Sequence, residues 1–229
     1  MKYDISAIGN ALVDTVFKVP QGFISELGLE IDQMTLSTPE EQAPIIERLI
    51  ASGADTMSDC GGSATNSLVA AASFGASCFH VCKVTDDQDG ARYMKSLKEA
   101  RVSHKWTMAP SGSIPTGKCL ILVTPDAKRT MTTSLSISSS MDDRDLELSE
   151  IANSKIFYIE GYMVTSEENY ACSLKILNYL KNFPEVKIAL SLSDPGIVAG
   201  FKNKFEEIES FGLDYIFCND DEAVAFTGA

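Results

Sequence analysis

The sequence predicts an α/β fold with a mainly parallel sheet, and the order of its apolar and amphipathic segments is the evidence. Apolar stretches such as "YDISAI", "KIFYIE" and "VKIALS" alternate with segments of helical spacing over most of the chain. Strands that are apolar on both faces and separated by helices form parallel sheets covered on both sides. Two interruptions, at about residues 13–36 and 102–138, contain strand-like segments without a helical period. We expect these two segments to form a small β-sheet lid.

Local signals bound several of the elements. Thr38 is a suitable N-cap with Pro39 at the first helical position, Gly75 ends the next helix, and Ser166 caps a later one. The predicted helices span residues 39–52, 63–75, 87–100, 166–183 and 201–211, with another beginning at 220. The predicted strands of the body span 3–10, 78–84, 155–161, 186–193 and 214–219, and those of the lid include 104–109, 115–125 and 128–136. The sequence stops within the last predicted helix, so we expect the fold to be C-terminally incomplete.

The composition narrows the classes of function. A chain of 229 residues with a net charge of −13 lacks the basic face that nucleic acid binding requires. No apolar run approaches the ~20 residues of a membrane span. The six cysteines form no Cys-x-x-Cys pair, and most lie among apolar neighbours, which indicates buried, reduced thiols and a cytoplasmic protein.

The segment "GSIPTGKC", residues 112–119, nearly matches the phosphate-loop pattern, but we predict a hairpin rim there. Cys119 lacks the hydroxyl group that would bind magnesium, and Pro115 lacks a backbone N–H in a loop whose amides would have to bind phosphate. The following residues also have the pattern of a strand, whereas a phosphate loop leads into a helix.

Polar residues and glycines follow the first strand and precede the second helix. Asn10 and Asp14 lie at the carboxyl end of the first strand, the edge at which open α/β sheets bind ligands. Gly61 and Gly62 permit close backbone approach, and Asn66 lies one turn into the helix that follows. Each feature alone is also typical of a tight turn or a structural carboxylate. Together they favour a site for hydroxyl groups over one for phosphate, because a carboxylate repels an anion.

Asn219 and Glu222 lie three residues apart at the start of the last predicted helix, and therefore on one face of it. One interpretation is an Asn cap followed by an acidic first turn. The other is an outer-sphere magnesium site, in which the carboxylate binds metal-bound water.

These segments together resemble the pfkB family of carbohydrate and nucleoside kinases. The resemblance depends on "GNALVD" at 9–14, "CGGSATNSLVAAASFGA" at 60–76, "PTGKCLILVTPDAKRTM" at 115–131, "IEGYMV" at 159–164 and "CNDDEAVAFTG" at 218–228. It runs from end to end of the chain, and it is stronger to the adenosine kinase branch than to ribokinase.

The resemblance implies a ribokinase-like three-layer α/β/α sandwich with a β-sheet lid, of which residues 1–229 would be the N-terminal portion. It implies ATP and Mg²⁺, phosphoryl transfer to a primary hydroxyl of a nucleoside or sugar, and a homodimer formed through the lid. It also implies roles for individual residues: Arg129 in catalysis, Asn219 and Glu222 at magnesium, and, in acceptor binding, Asn10, Asp14, Gly61, Gly62, Asn66 and Glu160.

The chain departs from the family at one place. Family members carry a Gly-Ala-Gly-Asp segment that supplies the general base and an anion hole, and residues 1–229 contain no such segment. We therefore expect these residues alone to be inactive as a kinase. The alternatives are a sugar kinase of the ribokinase or fructokinase type, and a non-catalytic fragment that binds a ligand or partner.

Overall fold

The computed structural model describes residues 1–54, 56–105 and 108–229. The strands are β1 (Tyr3–Ile8), β2 (Leu12–Lys18), β3 (Met34–Leu36), β4 (Thr56–Gly61), β5 (Cys78–Val81), β6 (Val84–Thr85), β7 (Val102–His104), β8 (Met108–Ala109), β9 (Gly117–Val123), β10 (Arg129–Ser134), β11 (Ser154–Ile159), β12 (Lys187–Ser191) and β13 (Tyr215–Phe217). The helices are α1 (Phe23–Glu26), α2 (Pro39–Ala51), α3 (Ser63–Ser73), α4 (Gln88–Glu99), α5 (Leu148–Ala152), α6 (Glu167–Leu180), α7 (Pro195–Gly200), α8 (Lys202–Glu209) and α9 (Asp220–Thr227). Within the described ranges, no helix has both the length and the hydropathy needed to cross a membrane.

The main sheet has six parallel strands in the order β13-β12-β11-β1-β5-β7. Consecutive residues of each strand face opposite helical layers. On β1, Ile8 packs with α5, α6, α7 and α8, whereas Ala7 packs with α3 and α4. On β11, Phe157 and Tyr158 divide in the same way. The result is the predicted α/β architecture, with a helical layer on each face.

The order of strands places a ligand-binding edge next to β1. From β1 the chain proceeds to β5 and β7 on one side, and later to β11, β12 and β13 on the other. Where the winding reverses, the connections diverge and leave a crevice at the carboxyl ends of the strands. Here this crevice lies between the ends of β1 and β11, which lead into Gly9 and Glu160.

A second, five-stranded sheet has the order β3-β10-β9-β2-β4 and mixed strand directions. Helix α2 covers one face, where Leu49 packs with Phe17, Leu120 and Leu122. The opposite face carries Leu12, Cys119 and Ile121. The period of two along β9 therefore separates a helix-covered face from a face that is available to a ligand.

The helix ends follow the predicted caps. Thr38 forms a capping box with Glu41 at the start of α2, and the Ser166 side chain accepts a hydrogen bond from the Asn169 backbone at the start of α6. Gly75 follows α3 with a φ of 96°, a left-handed conformation that glycine adopts without strain.

The structure differs from the sequence prediction in the extent of the second sheet. Strand β4 (sequence "TMSDCG") was not predicted, because Ser, Asp and Gly are poor strand formers; pairing with β2 holds it in the sheet. Residues 102–104, predicted to belong to the lid, form β7 at the edge of the main sheet. The strand predicted at 104–109 includes residues 106 and 107, which lie outside the described ranges.

Candidate functional site

A cavity of about 190 Å³ lies between the ligand-accessible face of the five-stranded sheet and the start of α3. The cavity is lined by residues that the sequence predicts for the site and by others that it does not. The predicted group comprises Asp14, Gly62, Asn66, Arg129 and Glu160. The other lining residues are Leu12, Met34, Leu36, Ser63, Cys119, Ile121, Met131, Thr133, Leu135 and Tyr162.

Asp14 supplies an unsatisfied carboxylate to this cavity. It lies in the middle of β2, opposite Cys119 on β9 and Asp59 on β4. Its side chain accepts no hydrogen bond from the residues that the structure describes, although the residue is largely buried. Burial raises the pKa of Asp14 to about 6; the Arg129 charge acts in the opposite direction, and the charges of Asp59 and Glu160 add to the increase. A carboxylate in this condition benefits from donors brought by a ligand.

The two glycines before α3 allow this carboxylate to approach the backbone. A Cβ on Gly61 would lie 2.0 Å from the Asp14 carboxyl carbon, so the position has no room for a side chain. Gly62 has a φ of 97°, and a Cβ there would lie 2.3 Å from the carbonyl oxygen of Asn10. Gly62 therefore combines a left-handed backbone with close packing.

The Glu160 side chain links the start of α3 to the end of β1 through hydrogen bonds. It is 1% exposed. One carboxylate oxygen accepts a hydrogen bond from the Ala64 backbone at 2.9 Å, and the other accepts from the Asn10 side chain at 3.1 Å. Burial raises the pKa of Glu160, and these hydrogen bonds oppose the shift. Gly9 makes the contact possible, because a Cβ on it would lie 2.7 Å from the Glu160 oxygen that accepts from Ala64 and 2.4 Å from the Ala64 Cβ.

Asn10 completes a buried network rather than reaching the cavity. It is 0% exposed. Its amide nitrogen donates to Glu160, and its amide oxygen accepts from Ser138 and from Asn169, each at 3.3 Å. The Asn169 amide also donates to the Ser138 carbonyl oxygen at 2.9 Å. Asn10 thus uses its hydrogen-bonding groups inside the protein and links β1 to α6.

A second buried network fixes the first turn of α3 from behind. The His80 Nδ1 lies 3.3 Å from the Ala7 carbonyl oxygen and therefore donates to it, because a carbonyl can only accept. Burial lowers the pKa of His80 to about 4, so its Nε2 is free to accept from the Thr65 hydroxyl at 3.2 Å. Tyr93 of α4 then donates to Thr65 at 2.7 Å. The helix start that carries Asn66 is thereby held on the sheet.

Asn219 and Glu222 form a capping box at the start of α9. The Asn219 side chain accepts from the Glu222 backbone at 2.8 Å, and both Glu222 carboxylate oxygens accept hydrogen bonds from Asn219. Neither residue lines the cavity. Among the described residues, no group of three or more His, Cys, Asp or Glu side chains could hold a metal ion directly.

Comparison with known proteins identifies the family. Residues 34–229 match the description "pfkB family carbohydrate kinase". The chain belongs to the pfkB carbohydrate kinase family. The ribokinase-like α/β fold that the sequence predicts is thereby confirmed, together with the resemblance to nucleoside and sugar kinases.

Solved kinase structures match all or nearly all of this pfkB chain. The adenosine kinase of Sinorhizobium meliloti is 28% identical with a TM-score of 0.88, and the match covers 100% of this chain and 68% of that one. A probable sugar kinase of Rhizobium etli is 24% identical with a TM-score of 0.90, over 100% and 68% of the two chains. The adenosine kinase of Anopheles gambiae is 22% identical with a TM-score of 0.83, over 98% and 67%. At these lower identities, the last two show the fold alone.

The structure brings part of the predicted site together and separates the rest from it. Asp14 and the start of α3 meet at one cavity, as the sequence analysis expected. Asn10, Gly61, Asn219 and Glu222 were predicted to contact acceptor or metal, but none of them lines the cavity, since each packs against or bonds to a neighbouring residue.

Residues of two kinds around the site are not predicted from the sequence. The apolar cavity wall could have been found from the period of two along β9 and β10, which places Cys119 with Ile121 and Met131 with Thr133. The buried partner Asn169 could have been suspected as a polar residue on the apolar face of α6.

Proposed function

We propose that this chain carries the acceptor site of an ATP-dependent kinase that phosphorylates the primary hydroxyl of an adenosine-like ribonucleoside. The observation that carries the proposal is the Asp14 carboxylate, which faces a cavity with apolar walls and has no hydrogen-bond donor among the described residues. The 28% identity to an adenosine kinase supports the same conclusion.

The proposed contact is between Asp14 and the 2′ and 3′ hydroxyls of ribose. An ionised carboxylate accepts hydrogen bonds through two oxygens, and a vicinal diol offers two donors at matching separation. Asn66, from the first turn of α3, would bind the same sugar. The Glu160–Asn10 network acts indirectly in this proposal, because it holds α3 at the correct distance from Asp14.

Arg129 is the proposed cationic group on the transferred phosphoryl. It lies at the start of β10 and lines the same cavity as Asp14. Phosphoryl transfer depends mainly on positioning and on neutralisation of charge. Closure of the five-stranded sheet over the acceptor would exclude water, which competes as a phosphoryl acceptor.

The proposed use of ATP and Mg²⁺ rests on membership of the pfkB family. In the proposal, the Asn219–Glu222 pair acts on a metal through bound water, because each Glu222 carboxylate oxygen already accepts one hydrogen bond from Asn219. Residues 1–229 contain no Gly-Ala-Gly-Asp segment. We therefore propose that these residues alone bind the acceptor without phosphorylating it, and measurable product from ATP and adenosine would contradict this part of the proposal.

Binding calorimetry on the chain tests the acceptor class. We expect adenosine to bind more tightly than ribose or fructose, and Asp14→Asn to weaken adenosine binding strongly. Asp143→Asn is the matched control, because Asp143 lies outside the cavity and pairs with Lys175 at the surface. Preferential binding of ribose or fructose would favour a sugar kinase of the ribokinase or fructokinase type. If no acceptor bound, or if Asp14→Asn bound adenosine as well as the wild type, the proposal would fail.

We further propose that the chain forms homodimers through the five-stranded sheet. Strands β3 and β4 lie at its two edges and could pair with a second copy. Sedimentation equilibrium tests this: a mass of one chain at high concentration would contradict it.

A further inference from the structure

The five-stranded sheet is joined to the rest of the molecule by short connecting segments. Within the described ranges there are four of them: residues 9–11, 62, 110–116 and 135. The sheet carries Asp14 and Arg129, whereas Asn66 belongs to α3 in the body of the protein. The position of the sheet on these segments therefore sets the separation between Asp14 and Asn66.

Three of the connecting segments meet at Gly117, the first residue of β9. A Cβ on Gly117 would lie 2.8 Å from the carbonyl oxygens of both Ala11 and Leu135, which belong to two other connecting segments. Leu12, which follows Ala11, and Leu135 itself line the cavity. A displacement of the chain at residues 116–117 is therefore transmitted to the cavity wall, because close-packed atoms cannot move independently.

The residue before Gly117 is held to the body of the protein by buried hydrogen bonds. One Asp87 carboxylate oxygen accepts from the Thr116 backbone N–H at 2.9 Å, and the other accepts from the Thr116 hydroxyl at 2.8 Å. The Thr116 hydroxyl oxygen accepts in turn from the Thr85 backbone N–H at 3.0 Å. Thr116 is 3% exposed and Thr85 is 1% exposed. We call these three hydrogen bonds the Thr116 clamp.

The Thr116 clamp exceeds what Asp87 needs as a helix cap. Asp87 is the N-cap of α4, and its side chain accepts from the Gly90 backbone N–H at 2.7 Å. Serine, threonine or asparagine can accept that hydrogen bond equally well. The two further bonds to Thr116 use the second carboxylate oxygen and the length of the aspartate side chain. Hydrogen bonds to a charged group are among the stronger ones, so the clamp fixes the sheet firmly.

We propose that Asp87 is a positioning residue for the acceptor site: through Thr116 it holds the five-stranded sheet at the angle at which Asp14 and Asn66 face one cavity. Without the clamp, the sheet adopts other angles, and only a fraction of the molecules keep the cavity formed. The apparent affinity for an acceptor falls in proportion to that fraction. The acceptor is that of the proposed function, on which the inference rests.

Two substitutions remove the Thr116 clamp in different ways. Asp87→Ser keeps the cap of α4 but is too short to reach Thr116. Thr116→Val removes the hydroxyl with little change of shape and none of charge. Thr15→Val is the matched control, because it removes a threonine hydroxyl that pairs with Ser58 at 3.1 Å within the same sheet and outside the cavity. Circular dichroism establishes that each variant is folded.

The ionisation of Asp14 reports the position of the sheet without any ligand. Its carboxyl carbon is followed by NMR in protein labelled with ¹³C aspartate, and its signal is identified by its absence from Asp14→Asn. If the sheet leaves α3, water reaches Asp14, so its pKa should fall from about 6 toward 3.8 in Thr116→Val and stay at about 6 in Thr15→Val. An unchanged Asp14 pKa in folded Thr116→Val would overturn the inference.

Calorimetric titration with adenosine measures the effect on the acceptor site. We expect the dissociation constant to rise roughly 10- to 100-fold in Thr116→Val and in Asp87→Ser, and Thr116→Ser, which keeps the hydroxyl, to restore binding. Equal affinities in Thr116→Val and in the wild type would overturn the role of the clamp in acceptor binding. If the wild type bound no adenosine, the proposed function would fail, and the Asp14 pKa would still decide whether Thr116 positions the sheet.

Discussion

Replacement of Asp14 by Asn should stabilise the protein at neutral pH while it abolishes tight acceptor binding. The structure forces the carboxylate into a largely buried position without a hydrogen-bond donor among the described residues, and burial raises its pKa from 3.8 to about 6. A raised pKa means that folding disfavours the ionised form. Asparagine has nearly the same shape and no charge, so this cost is removed from the folded state.

The magnitude follows from the pKa shift. At 1.36 kcal/mol per pKa unit, the change from 3.8 to about 6 corresponds to roughly 3 kcal/mol of lost stability. This value is an upper limit, since Asp14 is partly exposed. For a domain of this size, each kcal/mol shifts the melting temperature by about 2–4 °C, so the variant should gain up to about 10 °C.

The sign of the effect fixes its pH window. Below pH 3.8 the carboxyl is protonated in both the folded and the unfolded chain, and the wild type carries no penalty. The penalty grows as the pH rises between 3.8 and about 6 and is complete above that. The difference in melting temperature between Asp14→Asn and wild type should therefore be large at pH 8 and small at pH 4.

Differential scanning calorimetry at several pH values measures this difference directly. The Asp143→Asn control removes a surface ion pair and should change the melting temperature only slightly at each pH. A melting temperature that falls in Asp14→Asn at pH 8, or a gain that is the same at pH 4 and pH 8, would refute the reasoning.

Three further predictions concern the surroundings of Asp14. Gly61→Ala places a methyl group 2.0 Å from the Asp14 carboxyl carbon, so it should weaken adenosine binding and destabilise the fold by about 1–3 kcal/mol in urea denaturation, whereas Gly22→Ala, with nothing within 4 Å, should do neither. In Glu160→Gln, an NH₂ group replaces a carboxylate oxygen and faces the donors of Asn10 or Ala64 in a buried network. The free energy of unfolding should therefore fall by about 1–3 kcal/mol. An unchanged free energy of unfolding would show that these hydrogen bonds do not stabilise the fold. Arg129→Gln removes the positive charge that lowers the Asp14 pKa, so the acid limb of adenosine binding should move to higher pH; an unmoved limb would show that the two groups do not interact.

The sequence was informative about elements whose signals are local. Caps and hydrophobic patterns depend on residues that are near one another in sequence. They were therefore sufficient to predict the capped helices α2 and α6 and the apolar strands β1, β11 and β12. Strand β4 could not be, since "TMSDCG" is held by pairing with β2 rather than by its own preference for strand.

The site was predictable in location and less so in the role of each residue. The carboxyl end of β1 and the Gly61–Gly62 corner pointed to the correct edge of the sheet. Asn10 could not be separated from Asp14 by sequence, because both are polar and follow the same strand. In the folded protein, Asn10 bonds to the buried Glu160 and Asn169, whereas Asp14 faces the cavity.

A double-mutant cycle between protein and ligand tests most directly whether Asp14 binds the ribose diol. Adenosine and 2′,3′-dideoxyadenosine are titrated into wild-type protein and Asp14→Asn at pH 8 in a calorimeter. We predict that loss of the diol weakens binding to the wild type by roughly 10- to 100-fold, as expected for hydrogen bonds to a charged group, and has little further effect on Asp14→Asn. Losses that are independent and additive would show that the carboxylate and the diol do not touch, which would contradict the account.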